Sequence, residues 1–459
     1  MKFTKYGKTL LMSALSAGVI LSLTSCVQSY SVGYLYVTGT KTSESSGNGI
    51  ISGFKIDHNT GKLNSLNGLP VSSGGANPIR AVLLSGSHFV YVLNRGANAE
   101  GGSDCTQADP CTGSNITEFA VGANGVLTAE QTFNTQGRNP FRLLADSNGS
   151  HLYVLDHDSP DNLSGATGAA NGCAQALNGA TTCADITAFS VDSTTGRLSL
   201  VQNLQVKVTT TASGTQNLSY FPVPANPIDF VLASSNILTL TGTPGIADAP
   251  QTIFPYAYTS SSGQLSRTLN SSESIGSVYE ATALVYSGNY LWVLDNEPPP
   301  SPNSTNARSQ ILPWTVSTGG SLTAPATGHI ADDATQSNPV YLVVESKGDR
   351  FYVANQGSSS DKTDALSGIA GYTENTPFDP TSIGSSSLDI GTGAGPVCMV
   401  EDPSDQFFYT ANFDSSTITG LQLDPKSGEL RSLSDATKAP SKYDLPGQPT
   451  WCFVSGHTG

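Results

Sequence analysis

Charge is scarce in this sequence, and positive charge is scarcest. Only 12% of its 459 residues are charged, against roughly 25% in ordinary soluble domains. Lys and Arg together number 21 and Asp and Glu 36, which gives a formal net charge of −15. Such a surface repels phosphate backbones and anionic membranes. The composition therefore argues against nucleic acid as a partner.

The motifs of several enzyme classes are also missing. The sequence has no G-x-S-x-G nucleophile elbow, no H-E-x-x-H zinc motif, no P-loop and no G-x-G-x-x-G dinucleotide fingerprint. It has no C-x-x-C pair, and no His accompanies the cysteines at zinc-ligand spacing. We therefore expect neither a metal ion nor a cofactor.

Long apolar runs are absent except at the N-terminus. Three lysines occur among the first eight residues, and residues 9–23 are uncharged and mostly apolar, which is the pattern of a signal peptide. This run is too short to span a membrane comfortably. It ends in Leu-Thr-Ser-Cys at residues 23–26, which resembles the lipobox at which bacterial lipoproteins are cleaved and lipidated.

We therefore predict a lipoprotein signal peptide over residues 1–25, lipidation of Cys26 and a short tether over residues 26–33. The alternative is an ordinary secretory signal followed by an incidental cysteine. The lipobox would place the protein in the bacterial cell envelope, periplasmic or surface-exposed. Its lipid anchor would then be its only attachment to the membrane.

Six cysteines remain once Cys26 is set aside, an even number that suits disulfide bonding in an oxidising compartment. Two pairs each flank an insertion loop, and the third pair lies in two copies of a repeated strand. We predict structural disulfides rather than metal ligands or catalytic thiols. The cysteines are Cys105 with Cys111, Cys173 with Cys183, and Cys398 with Cys452.

A unit of two short strands joined by a polar turn recurs along the chain. Four clear copies occupy residues 77–94, 139–156, 338–355 and 395–412, and in each a Tyr follows a Pro by 13 positions. Pro suits the start of a strand, and a fixed interval indicates a repeated supersecondary unit. Seven inner-strand markers follow from this pattern: Pro78, Pro140, Pro227, Tyr279, Pro339, Pro396 and Pro449.

The two ends of the chain complete each other. Residues 34–40 match the second strand of the repeat with no first strand before them, and residues 447–456 match a first strand with no second strand after them. Joining them closes a ring, as in a β-propeller, whereas an open solenoid would need capping repeats. We predict an all-β, seven-bladed β-propeller with four-stranded blades over residues 34–456, a tail over 457–459 and little helix.

The third disulfide would reinforce this ring closure. Cys398 follows Pro396 by two residues and Cys452 follows Pro449 by three, so the two should lie at similar heights on adjacent inner strands. The offset of one residue could turn the two Cβ atoms apart.

The order of elements resembles the lactonase family of seven-bladed β-propellers, related to 6-phosphogluconolactonase and to YVTN-type surface propellers. The resemblance extends over residues 34–456 and rests on the inner-strand Pro, a Y-V-x-N second strand, an I-x-x-[FYWL] third strand and a T/S-G-K/R/E/Q-L turn. It implies metal-independent hydrolysis of a sugar-type lactone, a carboxylic ester, in the central funnel. The family usually carries Arg-His directly after the inner-strand Pro, whereas this chain has Ile79-Arg80 and Phe141-Arg142.

Residues two positions beyond each marker should share one face and line the funnel. They are Arg80, Arg142, Asp229, Ala281, Tyr341, Cys398 and Trp451. We predict that Arg80, Arg142, Tyr341 and Trp451 bind a small anionic or lactone ligand. Asp229, or Glu280 at the rim, would be the available base. The alternative is an Arg–Asp network that simply fills a wet channel.

Other polar residues receive plainer interpretations. The Asn or Asp that closes each second strand could form a ring of ligands, but hydrogen bonding to backbone is the simpler interpretation. The acidic loops after residues 156 and 295 could bind calcium, although solvated loops are more common. His88 and His151 fall in turns and should face solvent.

Two functions remain open from sequence. One is a lactone hydrolase; the other is a non-catalytic propeller that binds a glycan, a peptide or a partner protein through its loop face. We expect a monomer in either case.

Overall fold

A computed structural model of the chain describes residues 30–41, 47–97, 105, 110–242, 251–267, 272–275, 280–287, 290–296, 309–324, 330–333, 335–357, 367–373, 380–383 and 395–456. The N-terminal segment with Cys26, the marker Tyr279 and the tail lie outside these residues. No helix among the described residues is long and apolar enough to cross a membrane.

The described strands form seven antiparallel blades, numbered here in chain order. Blades 1–3 contain β1 (Ser31–Lys41), β2 (Ile50–Asp57), β3 (Leu63–Ser65) and β4 (Val71–Ser72); β5 (Pro78–Leu83), β6 (Phe89–Asn94), β7 (Asn115–Val121) and β8 (Leu127–Phe133); and β9 (Arg138–Ala145), β10 (His151–Asp158), β11 (Ala184–Val191) and β12 (Leu198–Leu200). A separate hairpin follows, made of β13 (Lys207–Thr210) and β14 (Gly214–Asn217), and β15 (Phe221–Val223) returns to pair with β11.

The same order of strands continues around the ring. Blades 4–7 contain β16 (Pro227–Ala233), β17 (Asn236–Thr241), β18 (Thr252–Thr259), β19 (Gln264–Arg267) and β20 (Glu273–Ser274); β21 (Ala281–Ser287), β22 (Tyr290–Asp295), β23 (Gln310–Val316), β24 (Leu322–Thr323) and β25 (Ile330–Ala331); β26 (Pro339–Val344), β27 (Arg350–Asn355), β28 (Gly368–Thr373) and β29 (Thr381–Ser382); and β30 (Pro396–Glu401), β31 (Phe407–Asn412), β32 (Thr417–Leu423), β33 (Leu430–Ser432) and β34 (Lys442–Asp444). Short helices are α1 (Asp161–Ser164), α2 (Gly172–Ala176), α3 (Leu433–Ala436) and a 3-10 turn at Gly168–Ala170.

The predicted closure of the ring is confirmed. The last strand, β35 (Gly447–Gly456), is the inner strand of blade 1 and pairs antiparallel with β1, from Gly33 opposite Gly456 to Lys41 opposite Gly447. The first and last described strands thus belong to one sheet. Closure gives β1 a strand partner on each side, β2 and β35, so the first strand of the chain is not left as an edge.

The Asn-Pro pair that opens most inner strands has a backbone reason. Asn77, Asn139, Asn226 and Asn338 all have positive φ, between 50° and 58°, a conformation that Asn tolerates better than most residues. The Pro that follows lies opposite the Asn or Asp near the end of the second strand, as Pro78 does opposite Asn94. In blade 4, Thr241 takes this place opposite Pro227. A one-residue bulge comes directly after the Pro.

Blade 5 corrects the predicted marker. Ala281, not Tyr279, takes the place of the Pro, because Ala281 lies opposite Asp295 and the bulge follows it. Ala283 therefore occupies the position of Arg80, and the prediction that Ala281 does so is wrong. Glu280 takes the position of Asn77. The carbonyl of Glu280 accepts a hydrogen bond from Asn296 N at 2.9 Å, and the carbonyl of Asn77 accepts the equivalent bond from Arg95 N.

The Tyr that follows the Pro at a fixed interval makes a hydrogen bond to a neighbouring blade, which explains its fixed position in the repeat. The Tyr of the second strand is fully buried, and its hydroxyl donates to the carbonyl of a Gly in the last turn of the next blade. We call these contacts the Tyr–Gly clasps. They join Tyr36 to Gly125 at 2.7 Å, Tyr91 to Gly196, Tyr153 to Gly263 at 3.4 Å, Tyr352 to Gly428 at 2.7 Å and Tyr409 to Gly61 at 2.7 Å.

All three predicted disulfides form, including Cys398–Cys452 between blades 7 and 1. The one-residue offset, which sequence alone marks as a risk, is what brings these two sulfurs together. Successive residues of a strand point to opposite faces, and neighbouring blades present opposite faces to each other. Trp451 accordingly points to blade 2, where its indole nitrogen donates to Ala81 O at 3.0 Å, while Cys452 points back to blade 7.

The histidines of the turns behave differently from each other. His88 is exposed, as predicted. His151 is only 5% exposed, and its Nδ1 lies 2.9 Å from Oδ2 of Asp146, so the prediction that it faces solvent is wrong. It packs under the turn of blade 4, where a Cβ on Gly263 would come within 2.4 Å of its ring.

The residues that close the second strands are not a ring of ligands. Asn94, Asp156, Asp295, Asn355 and Asn412 are all fully buried inside their blades. Asn412, for example, donates to Thr417 and Thr419 of β32 at 3.2 and 3.0 Å. These residues hydrogen-bond within their own blades, as the simpler interpretation predicts. Their partners include side chains of the third strand as well as backbone groups.

Blade 3 carries a buried carboxylate pair at this position. Asp156 and Asp185 lie opposite each other on β10 and β11, both fully buried, and Thr187 Oγ1 lies 3.2 and 3.3 Å from one oxygen of each. Burial raises the pKa of Asp156 to about 8. Burial and the neighbouring Asp156 raise that of Asp185 well above its ordinary value. The pair therefore retains protons at neutral pH.

We expect the stability of the protein to fall as pH rises from about 5 to about 9. The unfolded chain releases these protons near pH 4 while the folded chain keeps them, and each retained proton lowers the free energy of unfolding by about 1.4 kcal/mol per pH unit. Asp185→Asn should make this decline shallower and raise the stability at pH 8 by about 2 kcal/mol. Urea denaturation across this pH range measures the free energy of unfolding of each variant. Asp349→Asn, at an exposed position, is the control. If the free energy of unfolding fell equally steeply with pH in Asp185→Asn and wild type, the prediction would be contradicted.

Candidate active site

A cavity of about 200 Å³ lies in the central channel at the level of the inner-strand bulges. It brings together five of the residues that the sequence assigns to the funnel, each two positions beyond a Pro. Ala283, from the corrected register of blade 5, also lines it. The five are Arg80, Arg142, Asp229, Tyr341 and Trp451.

Asp229 fixes Arg142. Nε of Arg142 donates to Oδ1 of Asp229 at 2.9 Å, with the Arg side chain 22% and the Asp side chain 9% exposed. Oδ1 also accepts from Phe230 N at 2.9 Å, and Oδ2 accepts from Leu284 N at 2.9 Å. The carboxylate thus ties blades 3, 4 and 5 together, and both of its oxygens are engaged.

Arg80 has no carboxylate partner among the described residues. Its guanidinium lies over the indole of Trp451, with Cζ 3.9 Å from the ring centroid, and Nη1 donates to its neighbour Ile79 O at 3.2 Å. Burial and the nearby charge of Arg142 lower the pKa of Arg80 to about 9, against the opposing effect of Asp229 and Tyr341. It is therefore a cation at neutral pH, stabilised mainly by an aromatic face.

Tyr341 and Trp451 form the aromatic wall of this cavity. Their rings meet edge to face with centroids 5.2 Å apart, a favourable arrangement of aromatic quadrupoles. Burial raises the pKa of Tyr341, although Arg80 acts in the opposite direction. The phenol therefore stays protonated at neutral pH and can donate a hydrogen bond to a ligand.

A second cavity of about 460 Å³, called the channel mouth here, opens where the inner strands begin. Arg80 and Arg142 line both cavities and therefore separate them. The channel mouth adds Arg95, Asn139 and His157. In a chain with a net charge of −15, this is a local concentration of cationic groups, which attracts anions.

His157 is a residue of the channel mouth that the sequence did not point to. It lines the channel mouth, and its ring packs against that of Phe141 in a tilted arrangement, with centroids 4.4 Å apart and planes at 36°. It belongs neither to an inner strand nor to a turn of the repeat, so its position follows only from the fold. Its place directly after the closing Asp156 is the one signal that could have indicated it.

Three predicted channel residues lie elsewhere. Glu280 is exposed and lines neither cavity, and its amide donates to Asp295 Oδ1 at 2.7 Å. Cys398 is fully buried in its disulfide. Ala281 is displaced by the register of blade 5.

The acidic loop after Asp156 does not converge on one point. Asp156 faces Asp185, Asp158 accepts from Asn139 Nδ2 at 2.9 Å, and Asp161 accepts from the Tyr220 hydroxyl and from Gly172 N. Within the described residues no group of three or more His, Cys, Asp or Glu side chains could hold a metal ion.

A family model described as a lactonase, 7-bladed beta-propeller, matches residues 43–164. The predicted resemblance to the lactonase family is confirmed. The matched residues run from β2 of blade 1 to β10 of blade 3 and include Arg80 and Arg142. No curated protein matches the sequence.

Solved structures share the fold of this seven-bladed propeller. The periplasmic gluconolactonase of Pseudomonas aeruginosa superposes with a TM-score of 0.60 at 16% identity, over 92% of this chain and 99% of that chain. A protein named as a candidate 6-phosphogluconolactonase from Bacteroides uniformis gives 0.58 at 14% identity, over 92% and 100%. A similar protein from Bacteroides fragilis gives 0.57 at 16%, over 92% and 98%. At these identities the likeness concerns the fold.

Proposed function

We propose that this protein is an extracytoplasmic lactonase that binds a sugar-type lactone in the central channel and hydrolyses its ester. The observation that carries the proposal is the pair of guanidinium groups of Arg80 and Arg142 at the junction of the two cavities. Asp229 neutralises only one of them. The guanidinium of Arg80 is therefore available to stabilise the lactone carbonyl oxygen, which becomes negative as the ester is attacked.

Each channel residue has a defined part in this proposal. Arg80 binds the lactone carbonyl and stabilises the oxyanion, while Arg142, held by Asp229, keeps a second guanidinium in a fixed direction. Trp451 and Tyr341 provide an apolar wall against which the C–H groups of a sugar ring can pack. The hydroxy-acid product is an anion, so the same two cations bind it until it leaves through the channel mouth.

One observation favours the alternative, a non-catalytic binding protein. Both oxygens of Asp229 already accept hydrogen bonds from Arg142, Phe230 and Leu284, so this carboxylate is a poor base. Glu280, the other acid proposed from sequence, lines neither cavity. On this alternative the channel would bind a sugar acid or the end of a glycan without turnover.

Turnover of D-glucono-1,5-lactone by the purified protein distinguishes the two functions. We expect acid release above the spontaneous rate, unchanged by a chelator. D-gluconate should compete with the lactone, because both would occupy the cationic channel. Binding of gluconate without any turnover would support the non-catalytic alternative, and neither binding nor turnover would contradict both.

The cellular location is tested separately. The Leu-Thr-Ser-Cys motif at residues 23–26 is the basis for proposing a lipid anchor, and disulfide bonding suits an oxidising compartment. Cys26→Ser should move the protein from the membrane fraction to the soluble fraction of the host bacterium. A mature N-terminus other than residue 26, found by mass spectrometry, would contradict lipidation.

A further inference from the structure

His157 lines the channel mouth and has no part yet in the proposed function. β10 continues to Asp158, two residues beyond the closing Asp156, whereas β6 ends at its closing Asn94. This extension carries the side chain out of the blade. The imidazole is exposed to the cavity that Arg80 and Arg142 also line.

The packing of Phe141 links the imidazole to the guanidinium pair. The His157 ring packs at a tilt against the Phe141 ring, with centroids 4.4 Å apart, and Cζ of Arg142 lies 5.1 Å from the centroid of the same Phe141 ring. Phe141 directly precedes Arg142 on the bulged inner strand. One aromatic ring therefore holds both the base candidate and the oxyanion-binding residue in place.

The charges around His157 favour its neutral form. Loss of bulk water within the channel mouth lowers its pKa below the ordinary histidine value; Asp158 opposes this, and Arg142 and Arg95 reinforce it. Arg80 lines the same cavity, and the carboxylate pair Asp156–Asp185 lies buried beneath the strand end. A neutral imidazole at pH 7 has a lone pair available to accept a proton.

We propose that His157 is the general base of the lactonase reaction, reaching the channel from the loop side of blade 3 instead of from an inner strand. This inference rests on the proposed lactone hydrolysis in the central channel. It supplies the proton acceptor that neither Asp229 nor Glu280 provides.

The reaction then balances without any further reactant. A water molecule attacks the lactone carbonyl carbon, and its proton passes to the His157 imidazole. The carbonyl oxygen takes up the displaced electron pair and is held by Arg80 and Arg142. When the carbonyl re-forms, the ring C–O bond breaks, and the leaving alkoxide takes the proton back from the imidazolium. The hydroxy acid formed loses its own proton to solvent.

His157→Gln tests this role, because Gln keeps a polar side chain but has no titratable nitrogen. We expect kcat for D-glucono-1,5-lactone to fall by about 10²–10⁴-fold, with KM changed less than about threefold. The wild-type kcat/KM should fall tenfold per unit below the imidazole pKa, which lies under about 6.5, and the variant should lose this acid limb. In His157→Ala, added imidazole should restore part of the rate.

The matched control is His88→Gln, which removes an exposed histidine from a turn away from the channel mouth. It should leave kcat and the pH profile unchanged. Wild-type turnover with an unchanged kcat and acid limb in His157→Gln would overturn the role of His157 and leave the lactonase proposal standing. Absence of turnover in the wild type would overturn both, and gluconate binding would then still report on the arginine pair.

Discussion

Replacing both cysteines of the ring-closing disulfide, in Cys398→Ala/Cys452→Ala, should lower the free energy of unfolding by about 4 kcal/mol. The two residues are separated by 54 positions, and the loss of loop-closure entropy in the unfolded chain grows with that separation. The bond also holds β35, which alone completes blade 1 after the chain has passed round the ring. Guanidinium denaturation of wild type and variant measures the difference.

Cys105→Ala/Cys111→Ala is the control for this prediction. Its cysteines are separated by only 6 positions, so the same argument gives about 2 kcal/mol. Both bonds lie at or near the channel, but only Cys398–Cys452 joins two blades. An equal or larger loss from the short loop would contradict the assignment of ring closure to Cys398–Cys452.

Arg80 and Arg142 should respond differently to the same substitution. Arg80→Gln should weaken gluconate binding by about 10–100-fold, because a charge-assisted hydrogen bond of about 1.5–3 kcal/mol is lost. The free energy of unfolding of the Arg80→Gln variant should change by less than about 1 kcal/mol, because Arg80 forms no ion pair with a carboxylate among the described residues. Arg142→Gln should in addition destabilise the fold by about 3 kcal/mol, because it leaves the nearly buried charge of Asp229 without its cation.

The double variant Arg142→Gln/Asp229→Asn separates these effects. It exchanges the ion pair for two neutral amides and should recover most of the lost stability without recovering gluconate binding. Arg197→Gln, at an exposed turn, is the control for loss of a positive charge. Equal losses of stability from Arg80→Gln and Arg142→Gln would contradict the described division of roles, and the two residues would then be structural partners.

The arginine pair could be predicted from sequence because a bulged strand repeats its geometry in every blade. Once the Pro markers are aligned, residues two positions beyond them share a face, and four of the blades with a Pro marker supply Arg80, Arg142, Asp229 and Tyr341. The alignment failed in blade 5, where no Pro marks the strand start. In blade 5 the register is identified only by the structure, in which Ala281 lies opposite Asp295 and the amide of Asn296 donates to the carbonyl of Glu280.

The role of the repeated Tyr shows the same limit. The sequence contains both the Tyr of the second strand and the Gly of the last turn at regular positions, and either could be explained within its own blade. The Tyr–Gly clasps join different blades, with partners such as Tyr409 and Gly61 separated by 348 positions. Local patterns contain no information on which repeat lies beside which face.

The strands, their order, the seven-fold repeat and the completion of blade 1 by the C-terminal strand could be predicted from local patterns, because these follow from alternation of side chains and from turn chemistry. Which side chains meet across blades depends on how the blades pack in three dimensions. Because each blade presents one face to the blade before it and the other face to the blade after it, the offset of one residue brings Cys398 and Cys452 together in a disulfide. The same packing pairs Asp229 with Arg142 and places the Arg80 guanidinium over the Trp451 ring. It also brought His157, from an irregular strand end, to the channel mouth, because ring closure places the ends of all second strands around one opening.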